Sequence, residues 1–132
     1  MTGPQFNKLE ITGLLLVALM AILQGIYAIY AFADPAAFAL LRGTELHVAG
    51  DSDWVKIYSS RTLFVALIIG YLLYLKDYRT LKWAAIFGLA MPVTDAVLAY
   101  QALAPMQVIL KHVATAVYLL VTFYVLHSLA KR

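Results

Sequence analysis

The chain has 132 residues, 64% of them hydrophobic and only 13% charged, with a formal net charge of +3. Soluble domains carry about a quarter charged residues, and one this small could not hide so much apolar surface, so the composition excludes an ordinary soluble fold. Cysteine is absent, which excludes disulfides and thiolate-held metals, and the basic excess sits at segment ends rather than in a patch, which argues against a nucleic-acid partner.

The first apolar run covers 11–33. As a helix, about 20 residues cross the roughly 30 Å hydrocarbon layer. A cleaved leader is the competing reading, because "AFA" at 31–33 resembles a cleavage site. The run is longer than the roughly 7 to 15 residues of a leader core, and Glu10 stands just before it, so a membrane span is the better reading. Ala18, Ala21, Gly25 and Ala28 form a stripe of small residues on this helix. Such a stripe suits close helix packing within the bundle or a homodimer contact, and packing within the bundle is the preferred reading.

The first loop carries its own helix signals. In "DPAAFALLRG", Asp34 is an N-cap, Pro35 takes the first helical position and Gly43 ends the helix, with Phe38 and Leu41 on one face. This predicts a short helix on the outer surface, either a simple interfacial connector or a lid. "GDSD" at 50–53 then caps the second run, roughly 55–75; as a cation loop it is too short. The third run spans roughly 83–103 and the fourth roughly 108–130, joined by the uncharged turn "LAPMQ". The alternation of a membrane β-strand is absent. The expected fold is an all-α integral membrane four-helix transmembrane bundle, one unit over 1–132, with the short interfacial helix in its first outer loop.

Lys76, Arg79 and Lys82 in "KDYRTLK", Lys131 and Arg132 at the end, and Lys8 before the first helix place both termini and the second loop in the cytoplasm. Trp54 and Trp83 fit as interface anchors. A bacterial inner membrane is the expected location and the lipid bilayer the obligatory partner.

Counting depth from the outer ends gathers the polar residues. Gln24 and Tyr27, Arg61, Asp95, and Lys111 and His112 fall in one band roughly 5 to 14 Å below the outer interface, at about 1.5 Å per residue, and Tyr58 shares the Arg61 face. Thr115 shares the His112 face. Ionised groups in hydrocarbon cost several kcal/mol unless paired or wetted, so Arg61 and Asp95 are expected to pair, with His112 as third member. Pro92, one turn before Asp95, frees the Gly88 carbonyl and kinks the third span. Lys111 points away from His112 and is expected to reach the outer headgroups, and Glu10 reads as an ordinary helix-start charge.

The candidate site is Asp95, Arg61 and His112 for chemistry, with Gln24, Tyr27, Tyr58 and Thr115 toward a ligand. The competing reading is a buried charge pair that only fixes helix packing. One well-placed histidine is too few for bis-histidine haem, and His112 with Asp95 is too few for a closed metal site, so no cofactor is expected. Two tandem halves are not evident, and the acid lies shallower than a proton-coupled exporter would place it.

The segments "GIYAIYAFADPAAFA", "YSSRTLFVAL", "PVTDAV" and "KHVATAVYLL", in this order, resemble the small four-span bacterial family catalogued as domain of unknown function 4267. The resemblance implies four spans and polar family positions at Arg61, Asp95 and His112. Thr62 stands where that family usually has Asp, which removes a carboxylate that a two-carboxylate acid-base mechanism would need. The family has no assigned activity. The function expected is therefore binding of, or action on, a small lipophilic ligand in the outer half of the bundle; whether a reaction is catalysed stays open, and the alternative is a non-catalytic membrane subunit or scaffold.

Overall fold

The computed structural model describes residues 7–132; the first six residues of the expected unit lie outside the described ones. Six helices follow one another: α1 (Lys8–Ala33), α2 (Pro35–Arg42), α3 (Asp51–Tyr74), α4 (Tyr78–Gly88), α5 (Ala90–Gln101) and α6 (Met106–Ala130). No strand occurs among the described residues. Four stretches are long and apolar enough to cross a membrane: α1, α3, α4 with α5, and α6. The chain is an all-α multi-pass membrane protein. Its surface agrees, because Leu15, Leu19, Ile22, Ile26 and Ile29 recur along one side of α1, each more than half exposed. That stripe would be costly in water and is matched by lipid tails.

The helices pack in a row that bends back on itself. α1 lies against both α3 and α6, and α6 lies against α4 and α5. α3 meets α4 beside their connecting turn but does not pack along α5. Three sides of the bundle are therefore closed and the side between α3 and α5 is not.

Hydrogen bonds between side chains and backbone fasten the closed sides. The Ser59 hydroxyl donates to the Ala28 carbonyl at 2.5 Å, joining α3 to α1, and the Tyr118 hydroxyl donates to the Leu16 carbonyl at 2.5 Å, joining α6 to α1. Such interhelical bonds contribute roughly 0.6 kcal/mol each in a bilayer. At the end of the bundle far from α2, Gly13 allows α1 and α6 to touch, since a Cβ there would stand 2.6 Å from Leu129 Cδ1. Val17, Leu81, Ala85 and Leu126 form a buried plug nearby, with Ile69, Leu72 and Phe123 packed against it. Glu10 has a larger part than a helix-start charge. It accepts from the Tyr78 hydroxyl at 3.0 Å and pairs with Lys76 at 3.4 Å, tying α1 to the connection between α3 and α4.

The small-residue stripe of α1 is used only in part. Ala28 is buried against α3, whereas a Cβ on Gly25 would meet no atom within 4 Å. The start of α3 also differs from expectation. Gly50 occupies the cap position without a side-chain bond, and the Asp51 carboxylate reaches back to the His47 and Val48 amides at 2.7 and 3.1 Å. The third span is broken at Leu89, between α4 and α5. Pro92, three residues later, has no N–H to return to the chain, so the helix loses a bond where it bends.

Candidate functional site beneath the short helix α2

α2 forms as its local signals dictate. The Asp34 carboxylate accepts from the Ala37 amide at 3.0 Å, Pro35 occupies the first helical position, and Gly43 ends the helix with φ 90°. Glycine is required there: besides the left-handed backbone, a Cβ would lie 2.8 Å from Val108 Cγ1 and 3.0 Å from the Ala104 Cβ. The helix is seated by Phe38, which is 3% exposed and meets Tyr27 and Tyr30 edge-on at 5.8 Å and Tyr58 at 5.4 Å. Leu41, expected to share that buried face, is 37% exposed, and Ala39 is buried in its stead.

Arg42 closes α2, and its side chain turns under the helix. The guanidinium carbon lies 5.8 Å from the Tyr27 ring centre, 5.9 Å from Phe38 and 5.7 Å from Tyr58. Its Nη2 forms an ion pair with Asp95 Oδ2. Delocalised, weakly hydrated guanidinium suits this aromatic seat, since each ring face attracts the cation.

Two neighbours on α6 hold the end of the same helix. Lys111 Nζ donates to the Leu41 carbonyl, and His112 Nε2 lies 3.3 Å from the Arg42 carbonyl. Both cationic-type donors sit at a helix C-terminus, where unsatisfied carbonyls collect negative potential. Lys111 thus fastens α2 rather than reaching outward to headgroups. His112 is 2% exposed, and its Nδ1 stands 4.0 Å from Asp95 Oδ2, within ion-pair distance when the ring is protonated. An imidazolium would bridge the α2 carbonyl and the Asp95 carboxylate; a neutral ring can donate to only one of them.

Beneath this cluster lies a cavity of about 570 Å³. Its end under α2 is polar, with Arg42, Asp95, Lys111 and His112 together with Gln24, Tyr27, Tyr58 and Thr115. Its deeper wall is apolar, and Val17, Leu81, Ala85 and Leu126 of the buried plug form the floor. Phe64, Ile68 and Met91 border it while 64%, 43% and 44% exposed, so it opens through the gap between α3 and α5. A smaller recess of about 310 Å³ between α1 and α6 shares Tyr27, Lys111 and Thr115 with it.

Six of the seven candidate residues therefore border one cavity. Asp95, His112, Gln24, Tyr27, Tyr58 and Thr115 line it, and Arg61 does not. The expected Arg61–Asp95 pair is replaced by Arg42–Asp95. Arg61 stands exposed on α3, with no hydrogen bond or ion pair among the described residues. Depth alone suggested the wrong arginine, because α2 folds back over the bundle and delivers a second one to the same level. Among the lining polar groups, Gln24 has only the Met20 thioether as partner, at 3.6 Å, and the Thr115 hydroxyl donates to the Lys111 carbonyl at 3.0 Å. No three His, Cys, Asp or Glu side chains come together as a metal site among the described residues.

Residues 18–126 match the family described as Domain of unknown function (DUF4267). The chain belongs to this family. The match runs from within α1 to near the end of α6, so in this DUF4267 protein it takes in α2, the cavity lining apart from Val17, and all the residues that border its polar end. No curated protein and no solved structure matches the chain.

Proposed function

We propose that this DUF4267 protein binds a small lipophilic ligand drawn from the membrane, with its polar end under α2 and its apolar body in the cavity. One observation carries the reading: a polar cluster opens into an apolar space of about 570 Å³, within the roughly 300 to 1,000 Å³ of small-molecule sites. Gln24, Tyr27, Tyr58 and Thr115 would face the ligand. Arg42 takes the part first given to Arg61, Asp95 holds it in place, and His112 is the group ordinarily able to exchange a proton near neutrality. The protein is proposed to sit in a bacterial inner membrane with both termini cytoplasmic, which puts α2 on the outer face.

A second reading is favoured by the Arg42–Asp95 pair itself, since its charges are already matched. On that reading the cluster only fastens α2, and the protein serves as a scaffold. Filling the cavity separates the two. Ala84 lines it and is half-buried, so Ala84→Phe should occupy the space. The measurement is native mass spectrometry of protein extracted from its own membrane. Binding predicts a retained lipophilic molecule that Ala84→Phe excludes at unchanged folding. Empty wild-type protein and an unaffected variant would support the scaffold.

A further inference from the structure

We infer that the cavity takes a single-chain amphiphile with an anionic head, a carboxylate or phosphate monoester, admitted sideways from the lipid between α3 and α5. This rests on the binding reading above and names its ligand class.

Charge decides the head. Arg42 and Lys111 both border the outer end of the cavity, and Asp95 is the single acidic side chain in its lining. Asp95 is committed to Arg42. Lys111 spends one donor on the Leu41 carbonyl and has no carboxylate partner among the described residues. One positive charge in a low-dielectric site is thus left uncompensated, and an anionic head supplies the missing charge. An ammonium head would add to the excess, and Arg42 already occupies the ring of Tyr27, Phe38 and Tyr58 that would receive it.

Arg61 fits the same scheme. It precedes Phe64, Val65 and Ile68 by three, four and seven positions, so it shares their side of α3 one turn nearer the outer surface. Those three residues border the cavity, and Phe64 and Ile68 flank its opening. Arg61 therefore stands at the outer rim of the opening, exposed and unpaired, where a passing anionic head would meet it first.

Shape decides the tail. Cationic groups sit at the outer end and the apolar plug at the inner end, which is how an amphiphile lies in the adjoining leaflet. It can slide in without turning over.

The test uses purified protein in uncharged detergent at pH 8, titrated with hexadecanoate, hexadecyl phosphate, hexadecanol and hexadecyltrimethylammonium, with saturable one-to-one binding read by thermal shift and native mass spectrometry. The carboxylate or the phosphate should bind at least tenfold tighter than the alcohol, and the ammonium weakest. Lys111→Met should weaken the anion about tenfold or more, the range of one charge-assisted hydrogen bond, and clearly more than it weakens the alcohol; Lys111→Arg should restore it. Equal or tighter binding of the alcohol or the ammonium would overturn the anionic head and leave the lipophilic site standing. Binding of none of the four would overturn both.

Discussion

Arg42 and Asp95, 53 positions apart in the chain, form an ion pair that joins α2 to the third span. The pair is neither deeply buried nor free in water, with side-chain exposures of 19% and 28%. Removing one member leaves a charge facing the cavity alone. Arg42→Leu or Asp95→Leu should each cost about 1 to 3 kcal/mol of stability. The double substitution should return to within about 1 kcal/mol of the wild type, because no unpaired charge remains. Thermal or denaturant unfolding of the three variants in nanodiscs measures this cycle. Strictly additive losses would show that the two side chains do not interact.

Arg61 should behave in the opposite manner. It is exposed and lacks a partner among the described residues, so Arg61→Gln should shift stability by no more than about 0.5 kcal/mol. A loss as large as that of Arg42→Leu would restore the pairing first expected from depth. Any effect of Arg61→Gln should lie instead in the rate at which an anionic ligand associates.

Gly43 is the position at the end of α2 least able to take a side chain. With φ 90° and a Cβ that would meet Val108 at 2.8 Å, Gly43→Ala strains the backbone and pushes on α6 together. We expect a loss of about 1 to 3 kcal/mol. Gly25→Ala makes the control, because nothing lies within 4 Å of the added carbon and helix propensity favours alanine. Comparable melting of the two variants would contradict the close seat of α2 on α6.

Asp77, which caps α4, gives a pH signature. Its carboxylate is held below the ordinary value chiefly by the Thr80 hydroxyl, with the Thr80 amide next. The bonds measure 2.6 and 3.0 Å. A depressed folded-state value means that the contribution is complete above the unfolded value of about 3.9 and fades as pH falls through the folded one. Asp77→Ala should therefore melt below wild type at neutral pH, and the gap should narrow in acid. A gap independent of pH would assign the effect to something other than the carboxylate.

Orientation is checked separately. Cysteines placed at Gly50 and Tyr78 lie on opposite sides, since one precedes α3 and the other opens α4. An impermeant thiol reagent added to intact cells should label position 50 and spare 78. The reverse pattern would put α2 in the cytoplasm.

What was legible in the sequence was what neighbours in the chain decide. Asp34, Pro35 and Gly43 mark the limits of α2 because capping, a fixed φ and a left-handed terminus are local chemistry. The four spans follow from run length. The level of the polar cluster followed from counting, since helix rise is constant. What was not legible came from the path of loops. Counting along the spans has no term for α2 folding back, so it points to Arg61 as the partner of Asp95 where the fold supplies Arg42. The same applies to Glu10 with Tyr78, whose meeting depends on how the inner loop crosses α1. Gly13 was missed for another reason: one glycine makes no stripe, yet it marks the contact of α1 with α6.

The break at Leu89 divides the third span into halves with different attachments. α4 carries Leu81 and Ala85 of the buried plug, while α5 carries Asp95 and one edge of the gap. Pro92 makes this the cheapest place on the span to flex. Asp95 and the α5 edge of the gap therefore ride on one short helix, and any displacement of α5 about Leu89 would carry both together.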